Sequence, residues 1–115
     1  MISCSLVILF SMGGSISEYR KIVDSGCSPR IEGKCASACT MFLRTGCVTK
    51  DALLGFHRAK VSNGNTIAED YISRVMSSYY PVAIQSWYNK GPINSHDVVW
   101  IKGSEAIRLG AKECK

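Results

Sequence analysis

The chain has 115 residues, 46% of them hydrophobic and 20% charged, which is the size and composition of one globular domain, 1–115. That balance excludes a disordered tail, a collagen-like fibre and a coiled coil. Fourteen basic against nine acidic residues give a net charge of +5, but Arg20, Lys21, Arg30, Lys34, Arg44 and Lys50 are scattered among acids rather than gathered into a stripe, so no nucleic-acid partner is expected.

The chain opens on an apolar run, Leu6 to Phe10, too short to span a membrane. There is no Lys or Arg before Arg20 and no A-x-A-like cleavage site, so a secretory signal is not expected. Ending at Gly13-Gly14, the run reads as a buried strand. Ser15 and Glu18 form a capping box for a helix carrying Ile16, Tyr19, Ile22 and Val23, stopped by Gly26. A short strand is expected around Arg30 to Glu32. A buried helix follows from about Ser37 to Thr45, with Ala38, Cys39, Met41, Phe42 and Leu43, and stops at Gly46.

Cys47 to Thr49 and Leu53 to Phe56 read as two further strands, and Ser62-Asn63-Gly64-Asn65 as a turn. Thr66 and Glu69 form a second capping box, opening a helix with Ile72, Val75, Met76 and Tyr79 on one face. Pro81 suits the first turn of a fourth helix, ended by Gly91-Pro92. Val98 to Ile101 is a strand candidate, and Ser104 to Leu109, closed by Gly110, a last helix. Strands alternating with helices give an α/β fold with right-handed crossovers.

Six cysteines in so short a chain point to an oxidising compartment, periplasmic or secreted, and to one or more disulfides of unassigned connectivity. Buried free thiols are the alternative. Among Cys27, Cys35, Cys39 and Cys47 the paired C-x2–4-C spacing of a zinc site is not repeated, so no metal is expected.

Ser37, in Cys35-Ala36-Ser37-Ala38-Cys39, stands where a strand gives way to a helix. A serine there is often only a cap, but the same place suits a nucleophile because free amides stabilise negative charge nearby. His57 ends the strand Leu54-Gly55-Phe56, and Gly13-Gly14 turns from strand into helix. In this order the segments resemble the Clp protease proteolytic subunit and the wider Clp/crotonase fold. Phe10-Ser11-Met12-Gly13-Gly14-Ser15-Ile16 resembles that family's Ser-Pro-Gly-Gly-Ser segment, with Met12 for the proline. Cys35-Ala36-Ser37-Ala38-Cys39 resembles its nucleophile turn, closest to predicted periplasmic Clp-like proteins of bacteria. Gly55-Phe56-His57-Arg58 resembles the strand ending in its histidine, and Trp100 to Gly110 its closing strand and helix.

The resemblance implies an α/β fold of repeated β-β-α units, shortened at the N-terminus, where the family carries another strand and helix before its glycines. It implies a serine-type hydrolase, a peptidase, acting through an acyl-enzyme on Ser37 with His57 as general base. The backbone N–H groups of Gly14 and Ala38 would form the oxyanion hole, and Asp97, the acid before the closing strand, would orient His57. His96 has no counterpart and reads as a surface residue. A peptide or protein substrate and a homo-oligomer are implied, with no organic cofactor and no metal, while the sequence names no ATPase partner. The alternative is a catalytically inactive Clp-like binding or scaffold protein in which Ser37 is a helix cap. An acyl-CoA enzyme of the crotonase type is a remoter third reading.

Overall fold

The computed structural model describes residue 4 and residues 6–115; the first residues of the N-terminal apolar run, 1–3 and 5, lie outside them. In chain order the elements are β1 (Val7–Ser11), α1 (Ile16–Asp24), β2 (Arg30–Ala36), a 3₁₀ helix (Ser37–Arg44), β3 (Cys47–Val48) and β4 (Leu53–Phe56). Then come α2 (Thr66–Ser77), α3 (Val82–Lys90), a 3₁₀ turn (Pro92–Asn94), β5 (Val99–Lys102) and α4 (Gly103–Arg108). The sheet order is β1-β2-β4-β5. β1, β2 and β4 run parallel, whereas β5 is antiparallel to β4. β3 pairs with Arg30 and Ile31 at the start of β2, and β4 takes over the same edge from Lys34 to Ala36. The α/β class read from the sequence is the one observed.

Several elements differ from the sequence reading for identifiable reasons. β2 runs to Ala36 instead of stopping near Glu32, because Gly33 lets β1 come very close: a Cβ there would stand 1.9 Å from the Leu9 carbonyl oxygen. The β1–β2 register shifts at this point, a bulge of the kind a glycine permits. β1 is not the buried strand expected. Among the described residues it pairs only with β2, Ile8 alone of its residues is buried, and Leu9 and Phe10 are each 68% exposed. The segment from Ser37 winds as a 3₁₀ rather than an α-helix. The Thr40 hydroxyl donates to the Ser37 carbonyl at 2.6 Å, an acceptor that an α-helix would give to the next residue's amide.

The first capping residue is as expected, since Ser15 Oγ accepts from the Glu18 amide. The second is not. Asn65, one residue earlier than Thr66, caps α2 by accepting from the Ala68 amide at 2.9 Å, and Glu69 is buried elsewhere. Pro81 is the N-cap of α3 rather than a residue of its first turn.

The core lies between the sheet and the 3₁₀ helix on one side and α2 and α3 on the other. Ile31, Leu54, Met41, Phe42, Met76 and Ile84 are fully or almost fully buried. Phe56 meets Tyr80 and Trp87 edge-on at 5.3 and 5.1 Å between ring centroids, a preferred aromatic geometry. All six cysteines are paired, Cys4–Cys27, Cys35–Cys39 and Cys47–Cys114, so the free-thiol alternative does not hold. Among the described residues no helix is long and apolar enough to cross a membrane.

Candidate active site

Three parallel strands bring three loops to one end of the sheet. Ser11 pairs with Cys35 and Ala36 with Gly55, so Gly13-Gly14, Ser37 and His57 all emerge together from the carboxyl ends of β1, β2 and β4. β5 runs the other way with Val99 opposite Phe56, so the residues just before it, Asp97 among them, return to that same end. The crevice beyond the carboxyl ends of parallel strands is the usual ligand site of an open α/β sheet.

Ser37 has φ 59°, the one non-glycine residue with positive φ among those described. Left-handed backbone at a serine costs roughly 1–3 kcal/mol and persists only where the surroundings enforce it. The enforcing groups are visible. Gly13 presses against the turn: a Cβ on it would lie 2.8 Å from Ser37 Cβ and 2.9 Å from the Ala38 nitrogen. The Ser37 carbonyl is held by the Thr40 hydroxyl. With that proton spent, the buried Tyr80 hydroxyl donates in turn to Thr40 Oγ1 at 2.6 Å. A serine on a sharp, strained strand-to-helix turn presents its Oγ, the arrangement used by hydrolase nucleophiles.

The side chain of Ser37 is half-buried and opens on a cleft of about 470 Å³ between α1 and α2. Ile16, Ile72 and Val75 give the cleft an apolar wall, and Arg20 and Lys60 add two cations. Gly14 lines the cleft beside Ser37. The Ala38 amide, second in its helix, has no carbonyl behind it within the helix to bond.

His57 is half-buried, and its Nδ1 lies 2.6 Å from the Arg58 carbonyl oxygen. A carbonyl only accepts, so Nδ1 carries the hydrogen, and in the neutral ring Nε2 keeps a free lone pair. That is the tautomer a general base needs. Asp97 is exposed; its amide donates to Ser95 Oγ at 3.0 Å, and among the described residues no carboxylate bonds to His57. Nor does a hydrogen bond join Ser37 Oγ to His57 among the described residues, and such bonds often tighten only with substrate bound.

The loop after His57 is pinned at successive positions. Tyr88 donates to the His57 carbonyl at 2.7 Å, Arg58 N–H to the Ser95 carbonyl at 2.7 Å, Ala59 N–H to Ser73 Oγ at 2.8 Å, and Val61 N–H to Glu69 Oε2 at 3.1 Å. Glu69 is the hub of this anchorage. Its other oxygen accepts from Arg58 Nε at 3.2 Å and meets His96 Nε2 at 3.0 Å. The Val61 amide first, then His96 and Arg58, hold its carboxyl below the usual carboxylate range against the opposing cost of burial. Burial pushes the Tyr88 hydroxyl up to about 12. His96 is therefore a partner of a buried acid and not merely a surface residue.

No known protein-family profile and no curated protein matches the sequence. Solved structures do match. The crystal structure of the ClpP protease catalytic domain from Plasmodium falciparum is similar with a TM-score of 0.68, over 98% of this chain and 69% of that chain, at 16% identity.

The chain has the Clp protease fold. On it, the sequence-derived candidates Gly14, Ser37, Ala38, His57 and Asp97 fall at one end of the sheet. Sequence reading missed the residues that hold them there: Thr40 and Tyr80 behind Ser37, and Arg58, Glu69, Ser73 and Tyr88 behind His57. One signal was present. Glu69, Ser73 and Ser77 recur every fourth residue with Met76 on the same face of α2, and that face is buried, while Ile67 and Tyr71 are exposed.

Proposed function

We propose that the protein is a serine hydrolase, a peptidase, with Ser37 as nucleophile and His57 as general base. The observation that carries the reading is the left-handed Ser37 at the mouth of the cleft, on the strand next to the one that delivers a histidine with a free Nε2. Ser37 Oγ attacks the substrate carbonyl carbon while its proton passes to His57 Nε2. The tetrahedral oxyanion is met by the Gly14 and Ala38 amides. Collapse returns the proton to the leaving amine, and water repeats the cycle to release the acid. The Arg58 carbonyl fills the orienting place at Nδ1, so Asp97 is a secondary candidate for that role.

The apolar wall of Ile16, Ile72 and Val75 beside Arg20 and Lys60 favours peptides that carry an apolar residue near an acidic one. The three disulfides support an oxidising compartment, in keeping with a periplasmic or secreted role. The exposed edge of β1 favours a homo-oligomer. The test is hydrolysis of fluorogenic peptides of that composition by wild type and by Ser37→Ala. Turnover by wild type and its loss in the variant are expected. A folded wild type that cleaves none of them, or cleavage surviving in Ser37→Ala, refutes the reading and leaves the binding or scaffold role.

A further inference from the structure

The three disulfides do different work. Cys47–Cys114 and Cys4–Cys27 close loops of sequence separation 67 and 23, the lengths at which a cross-link most restricts an unfolded chain. Cys35–Cys39 spans a separation of 4, the least useful length for that purpose, and Ser37 is its middle residue. Its place is therefore not explained by stability.

Its geometry suggests another use. Four residues of extended chain reach about 13 Å, and four of α-helix advance about 6 Å along the axis. The bridge holds the two Cα atoms 5.3 Å apart, a tighter reversal than either, and the residue at the top of that reversal is the one with φ 59°. Both ends are anchored. Cys35 is paired in β2 with Ser11 on one side and Leu54 on the other, Cys39 lies in the first turns of the 3₁₀ helix, and neither has any exposed surface.

We infer that the Cys35–Cys39 bridge is a positioning device for the nucleophile: it keeps Ser37 left-handed and its Oγ directed at the cleft. Without it the five-residue turn relaxes toward negative φ and Ser37 turns away, although the sheet and core around it stay folded. The inference rests on the reading of Ser37 as nucleophile, and it extends that reading to residues that touch no substrate.

The experiment compares two double variants, Cys35→Ala/Cys39→Ala and Cys47→Ala/Cys114→Ala, each against wild type, for thermal midpoint and for the rate of labelling by a fluorophosphonate. The first is expected to lose about a hundredfold in labelling rate while keeping a cooperative transition, as displacement of a reacting group by about 1 Å can do. With a peptide substrate its loss falls on kcat while KM stays within about threefold, the pattern of an interaction that acts only in the transition state. The second is expected to lose more in midpoint and to label within about threefold of wild type below it. Equal labelling by the first variant, or losses in both that merely follow stability, overturns the inference. Should wild type itself fail to label, it is the nucleophile reading that fails. The crystal structure of Cys35→Ala/Cys39→Ala then still decides the positioning claim, since Ser37 retaining positive φ refutes it. If the alanine pair does not fold, Cys35→Val/Cys39→Ala restores core volume for the same measurements.

Discussion

Gly13→Ala is the sharpest perturbation the structure offers, because its neighbour Gly14 supplies the control. Gly13 has φ +89°, and a Cβ built on it meets Ala36 O and Ser37 Cβ at 2.8 Å and the Ala38 nitrogen at 2.9 Å. Two of these atoms are backbone, so no flexible side chain can yield. The left-handed backbone at a non-glycine residue costs about 1–3 kcal/mol. Overpacking against fixed atoms adds about 1–3 kcal/mol, for a total of about 2–6 kcal/mol. With an unfolding entropy of about 2.1 cal/mol/K per residue, 1 kcal/mol moves the midpoint of a chain this size by about 4 °C, so the expected fall is about 8–24 °C. The atoms displaced include Ser37 Cβ and the Ala38 amide, so fluorophosphonate labelling falls too. A Cβ on Gly14 meets only Tyr19 Cε2, at 3.8 Å, and the backbone N–H is kept. Gly14→Ala is expected to melt within about 0.5 kcal/mol of wild type. Calorimetry and labelling of the two variants side by side decide it. A Gly13→Ala protein that melts like Gly14→Ala, or labels like wild type, refutes the account of how this turn is built.

Asp97→Asn is expected to change turnover by less than about tenfold, since the Arg58 carbonyl already holds Nδ1; a loss of about 10³–10⁴-fold, typical of a missing triad acid, makes Asp97 the orienter instead. Glu69 has a lowered native pKa, so its network stabilises the fold fully above the ordinary glutamate range and loses that contribution as pH falls through the lowered value. The difference in urea midpoint between wild type and Glu69→Gln is therefore expected to shrink on acidification, and a difference that grows contradicts the sign. At the β1 edge, the exposed Leu9 and Phe10 predict self-association, so light scattering at micromolar concentration should show a species larger than a monomer, reduced in Leu9→Asp/Phe10→Asp. A monodisperse wild-type monomer contradicts it.

The parts of this molecule legible in its sequence are those written locally. Periodicity gave α1 and α2, Gly26 and Gly91 marked ends, and Ser37 and His57 could be placed at strand ends because the residues around them are short and apolar. What was not legible depends on contacts across the chain. The length of β2 follows from Gly33 lying against Leu9, and the exposure of β1 from its having one neighbour only. Glu69 resembled a cap because Thr66 precedes it by three residues; Arg58, Val61 and His96, which claim its carboxylate, come from the loop that leads into α2 and from the approach to β5. Cysteine spacing alone allows fifteen full pairings, and the tight turn around Ser37, which holds the two Cα atoms 5.3 Å apart, is what brings Cys35 and Cys39 together.

The central claim is that Ser37 is a nucleophile, and the most direct measurement is the site of covalent labelling. Folded wild-type protein, with its bridges intact, is treated with a fluorophosphonate, digested and mapped by mass spectrometry. The account predicts one adduct per chain, on Ser37, suppressed by His57→Ala and absent from Ser37→Ala. An unlabelled folded protein, or an adduct on any other serine, contradicts it.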